Sequence, residues 1–109
     1  MAKTDSLQGS LDLLVLKILS RRPELHGYAI MSAIRERSGD VLRADEGSLY
    51  PALHRMEEAG WLSSTWGESE NSRRAKFYRL TKAGQFQLKE ETDQWARISA
   101  AMASALETA

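Results

Sequence analysis

The chain has no cysteine, two prolines among 109 residues, and no surplus of either charge, with 15 Lys plus Arg against 15 Asp plus Glu. Each absence excludes something. Without cysteine there are no disulfides and no thiolate zinc sites, a composition that fits a reducing cytoplasm, so a cytoplasmic location is expected. Without net charge there is no global basic field to draw in a polyanion, so any such attraction must be local. With a screening length of about 8 Å at physiological salt, a local cluster acts almost independently of distant acids. No apolar run reaches the roughly 20 residues of a membrane span, and residues 1–6 are too short and polar for a signal peptide. At this length the chain is one domain with a modest core, which a second copy would help to stabilise.

What is present concentrates between residues 45 and 82. Residues 47–60 predict a helix, starting near Gly47 or Ser48 because Pro51 must lie close to its beginning, and stopped by Gly60. At about 100° per residue, Leu49, Leu53 and Met56 form one stripe, while Ser48, Pro51, His54 and Arg55 point the other way. That outer face suits a major groove, where Arg reads guanine edges and Ser or His takes a base edge or a phosphate. The open N–H groups of the helix start also suit a phosphate. Taken alone, an ordinary amphipathic core helix explains the stripe equally well.

A hairpin follows. Residues 61–66 and 76–80 predict strands, with Leu62, Tyr78 and Leu80 inward, joined by a polar loop over 67–75. From Asn71 to Lys82 the cations Arg73, Arg74, Lys76, Arg79 and Lys82 run without an intervening acid. A charge run is often only a solvated face. Placed directly after a candidate recognition helix, this one predicts a basic wing. Glu46, Glu57 and Glu58 temper it.

The flanks predict three further elements. Residues 11–19 form a dense apolar helix interrupted by Asp12 and Lys17 and ended by Pro23. Leu11, Leu14, Val15, Ile18 and Leu19 share one arc, leaving Leu13 and Leu16 on the far side, to be covered either by a second copy or by the chain's own terminal helix. A second helix runs from Leu25 to about Ser38 with Gly39 as its stop. Its start makes Gly27 and Tyr28 candidates for phosphate contact. His26 is expected to cap or pack, since only His54 accompanies it and no metal ligands match. Val41-Leu42 is expected as a short strand pairing with the wing. The last helix spans Thr81 or Lys82 to about residue 106. Leu88, Trp95 and Met102 recur every seven residues, with Ile98 and Ala105 in the other seam position and Glu91 interrupting it. A two-fold dimer through Leu13, Leu16, Leu88, Trp95, Ile98 and Met102 explains that seam most economically.

Four ordered segments, Leu7-Gln8-Gly9-Ser10-Leu11, Leu25-His26-Gly27-Tyr28, Gly47-Ser48-Leu49-Tyr50-Pro51-Ala52-Leu53 and Tyr78-Arg79-Leu80-Thr81-Lys82-Ala83-Gly84, resemble the PadR-type transcriptional regulators over nearly the whole chain. The resemblance implies a mainly α fold with a small β-hairpin: a winged helix-turn-helix DNA-binding domain over residues 1–82 and one long C-terminal dimerisation helix over 83–109, as in the family's short branch. It implies a homodimeric repressor on half-sites of double-stranded DNA; the acids, scattered over predicted helix surfaces, fit an enzyme poorly, and no cofactor or metal is expected. Tyr28, Ser48, Tyr50 and Pro51 match the family's DNA-facing surface, and Arg73, Arg74 and Lys76 fall in its wing. Trp61 stands where an aliphatic residue is more usual. Some family members respond to planar aromatic compounds near the dimer axis. Trp95, meeting its twin there, either sandwiches such an effector or is plain dimer core. The alternative function is a winged-helix module for protein partners that never touches DNA, against which Ser48, His54 and Arg55 argue.

Overall fold

The computed structural model describes residues 2–108, and side chains over 10–107. The Leu7-Gln8-Gly9 part of the first motif lies outside those side chains. In chain order the elements are α1 (Ala2–Arg21), β1 (Leu25–His26), α2 (Gly27–Arg37), α3 (Glu46–Glu58), β2 (Leu62–Glu68), β3 (Arg74–Leu80) and α4 (Lys82–Thr108). This is the mainly α winged-helix architecture, with the long terminal helix, that the sequence implies.

The core is where the helical stripes meet the sheet. Val15, Ile18 and Leu19 of α1, Ile30 and Ile34 of α2, Leu49, Leu53 and Met56 of α3, and Leu62 and Tyr78 of the hairpin are all buried. Leu16 joins them with no exposed surface. It was expected at a dimer interface, but its own chain covers it completely, so it has nothing left to offer a partner. Leu88, placed in the same seam, is partly buried against this core. Leu13 is half-buried.

The sheet has three strands in the order β1-β3-β2, both pairings antiparallel. The third strand is Leu25–His26, paired with Tyr78 and Phe77, and not the expected Val41-Leu42. β1 takes the side of β3 that β2 leaves open, at Phe77 and Tyr78, and Val41 is left 81% exposed in an irregular loop. The helix expected from Leu25 accordingly starts two residues later. His26, extended at φ −85° and ψ 167°, caps it by accepting the Ala29 N–H at Nδ1 (3.3 Å). Its ring also packs edge-on against Phe77, with centroids 5.3 Å apart.

At the far end of the hairpin, Thr81 turns the chain into α4. Its Oγ1 donates to the Gly60 carbonyl (2.6 Å) and accepts the Gly84 N–H (3.0 Å). Gly84 sits so tightly that a Cβ there would overlap the Trp61 carbonyl and lie 2.6 Å from Leu80 Cδ1. This junction aims α4 away from the body. Every side chain from residue 92 to 107 is exposed. The molecule extends 54 × 28 × 26 Å with a radius of gyration of 15.0 Å, against about 13 Å for a compact domain of this length.

Candidate nucleic-acid interface

α3 begins one residue earlier than its sequence suggests, because Asp45 caps it: the carboxylate accepts the Ser48 N–H at 2.9 Å. The expected phosphate site at this helix start is therefore not open. A carboxylate already takes the N–H, and Glu46 adds a second negative charge in the first turn. Pro51 lies a full turn inside, where it deprives the Gly47 carbonyl of its intrahelical partner. Gly47 is exposed, so water can take that place.

The outward face of α3 carries Ser48, Tyr50, Pro51 and His54, all exposed. His54 Nε2 lies 3.5 Å from Glu58 Oε2, one turn on. Arg55 does not belong to this face. Its Nη1 and Nη2 donate to the two oxygens of Asp12 at 2.8 and 3.0 Å, a bidentate pair tying α3 to α1. The Asp12 side chain is 8% exposed and that of Arg55 42%. A nearly buried carboxylate with this fork-on-fork geometry claims the guanidinium more firmly than a base edge would. Hydrogen bonding to Asp12 holds the Arg55 pKa above its ordinary value, against the opposing effect of burial. The signal for the pair was Asp12 itself, a carboxylate inside the densest apolar segment.

Glu91 of α4 completes a three-helix polar cluster. Gln87 Nε2 donates to its carboxylate at 2.8 Å. Burial, more than the nearby Asp12 charge, raises the Glu91 pKa, while the Gln87 bond and Arg55 pull it down.

Beside α3 the wing is less basic than its sequence suggests. Lys76 pairs with Glu57 of α3 at 3.2 Å, and Arg79 with Glu24 at 2.8 Å. Glu57 also accepts from Ser64 Oγ at 2.6 Å, and that bond, followed by Lys76, holds its carboxyl below the ordinary value. Lys76 thus fastens the wing to α3 and is not the free cation expected. At the wing, Arg73 and Arg74 remain without a carboxylate among the described residues. Arg74 instead lies over the Trp66 ring, 4.4 Å from its centroid.

Between the wing and the start of α2 runs an open groove of 610 Å³, lined on one side by Tyr28 and Tyr50 and on the other by Trp66, Arg73, Arg74 and Lys76. Gly27 permits this arrangement. The Tyr50 ring lies directly over it, and a Cβ there would sit 2.7 Å from the Tyr50 Cε1 atom. The structure brings Gly27, Tyr28, Tyr50, Arg73 and Arg74 to one groove beside the outer face of α3. Trp66 joins them, although its sequence signal was only that of a strand aromatic. The apolar seam of α4 lies elsewhere, with Trp95 52%, Ile98 46% and Met102 55% exposed.

Among the described residues, no group of His, Asp or Glu could hold a metal ion, and no helix is long and apolar enough to cross a membrane. Known structures share this arrangement. A transcriptional regulator from Clostridium thermocellum superposes with a TM-score of 0.82 at 27% identity, over 92% of this chain and 96% of the other. A PadR family transcription regulator from Clostridium difficile gives 0.72 at 31% identity, over 88% and 97%. A PadR-like transcriptional regulator from Bacillus cereus gives 0.76 at 28%, over 94% and 96%. Residues 15–90, from the core of α1 through the wing and into α4, match the transcriptional regulator PadR-like family. With the recognition helix, wing and projecting helix all in place, the chain belongs to that family of DNA-binding winged-helix transcriptional regulators.

Proposed function

We propose that the chain acts as a homodimeric repressor that binds a pseudo-palindromic operator, each copy placing α3 in a major groove and its wing on the adjoining backbone. The observation that carries this reading is the division of the surface. α3 presents exposed Ser48, Tyr50, Pro51 and His54, of which Tyr50 shares a groove with Arg73 and Arg74, and the projecting half of α4 presents Trp95, Ile98 and Met102. The first surface fits a duplex and the second fits another copy of itself. Leu13, half-buried on α1, keeps some surface for the same partner.

Tyr28, exposed at the start of α2, meets the phosphate backbone in this arrangement, whereas Gly27, expected to do the same, is buried beneath the Tyr50 ring and only makes room for it. With Arg55 and Lys76 tied to acids, base reading falls to Ser48, His54 and Tyr50, and the non-specific attraction to Arg73 and Arg74. Repression is the simplest outcome for a small protein that occupies its site and blocks access. Trp95, meeting its twin across the two-fold axis, offers a stacking platform for a planar aromatic effector. Such a compound would act by favouring one spacing of the two recognition helices, to the extent that it binds that state better.

Selection of bound fragments from the source genome, followed by footprinting, tests the proposal. Two protected half-sites about one helical turn apart are expected. Binding that is indifferent to sequence, or retention only of protein partners, would overturn it.

A further inference from the structure

Trp66 is 59% exposed on β2, whose only buried residue is Leu62. From buried Leu62, alternation puts Ser64, Trp66 and Glu68 on the face toward α3, and the register sets Lys76 opposite Trp66 and Arg74 opposite Glu68. An arginine facing a glutamate across two strands would be expected to pair with it. Arg74 does not. Its guanidinium lies on the indole, 4.4 Å from the ring centroid, at the mouth of the groove whose far wall is Tyr28 and Tyr50.

We infer that Trp66 is a positioning residue for DNA binding: its indole holds Arg74 at the groove mouth, ready to pair with a phosphate of the strand lying there. The inference rests on the DNA-binding reading above. A guanidinium held over a ring gives up none of its N–H groups to a carboxylate, which an ion pair with Glu68 would not allow. An arginine already laid on a ring also has less rotamer freedom to lose when a phosphate arrives. The occupant is a sugar–phosphate strand, because Arg73 and Arg74 supply two cations without carboxylate partners among the described residues, against the one carboxylate, Glu70, on the groove wall.

A double-mutant cycle on the full-length chain, read as affinity for a random-sequence duplex across a salt series, tests this. Arg74→Gln should weaken binding and reduce the salt slope by about one unit. Trp66→Ala should cost about two- to fivefold, Trp66→Phe should bind almost as the parent does, and the Trp66→Ala/Arg74→Gln protein should bind like Arg74→Gln alone. Losses that multiply, a Trp66→Ala protein that binds as the parent does, or a Trp66→Phe protein as weak as Trp66→Ala would each overturn the inference. Unchanged thermal midpoints establish that the variants are folded. Failure of the parent chain to bind any duplex would instead overturn the DNA-binding reading on which the inference rests.

Discussion

Arg55 lies on the recognition helix, yet its guanidinium is committed to Asp12 on α1. Its place on the helical wheel gave an outward direction, but a wheel carries no information about a carboxylate 43 positions away. Arg55→Gln leaves Asp12 nearly buried without its cation. Between the small worth of exposed pairs and the larger cost of breaking buried ones, roughly 2 kcal/mol of stability should be lost, measurable by urea unfolding. With its guanidinium held by Asp12, Arg55 reads no base, so the folded variant should keep the parent's ratio of cognate to random affinity. Selective loss on the cognate site would restore Arg55 as a reader of bases. Glu91, beside this pair, makes the opposite prediction. Its raised carboxyl means that the folded chain holds the proton more tightly than the unfolded one. Stability therefore falls as pH rises from the ordinary value of 4.5 through the raised one, and the loss is complete above it. Glu91→Gln keeps an acceptor for Gln87 and removes that loss. It should match the parent at about pH 4 and exceed it at about pH 8 in urea midpoint.

The elements differ in how plainly the sequence announces them. α2, α3 and α4 follow from apolar spacing with Gly39 and Gly60 as stops, and both glycines have positive φ, 63° and 85°. Both hairpin strands are legible from aromatic content and alternation, although each pairs further toward the tip than those suggest, to Glu68 and from Arg74. β1 was not legible. Two residues carry no periodicity, and Leu25–His26 becomes a strand only because β3 offers a free edge beside it. The same fact removes Val41-Leu42 from the sheet. The ion pairs of Lys76 and Arg79 were equally hidden, since a run of cations in sequence does not disclose which acids fold back onto it. At the junction of hairpin and α4, Gly84 is held against backbone, which has little room to shift. Gly84→Ala should cost about 1–3 kcal/mol by overpacking, read as a lowered thermal midpoint. An unchanged midpoint would mean that α4 is not fixed to the wing at this point.

For the whole molecule, zero net charge and a projecting helix leave two surfaces to explain function. The seam spacing of α4 was legible in sequence. That Leu16 and Leu88 serve the chain's own core was not, because an apolar arc does not say which body it packs against. The dimer proposal accordingly rests on Trp95, Ile98 and Met102. A Trp95→Glu/Met102→Glu protein should keep the fold of residues 10–90 by circular dichroism, sediment as a monomer, and lose most of its operator affinity with the second half-site.

Sedimentation velocity of the full chain at micromolar concentration, with a genome-selected duplex, tests the central claim most directly. Two chains on each duplex, and a dimer in its absence, are the predicted species. A monomer that leaves the duplex free, or binds it one chain at a time, would contradict the account.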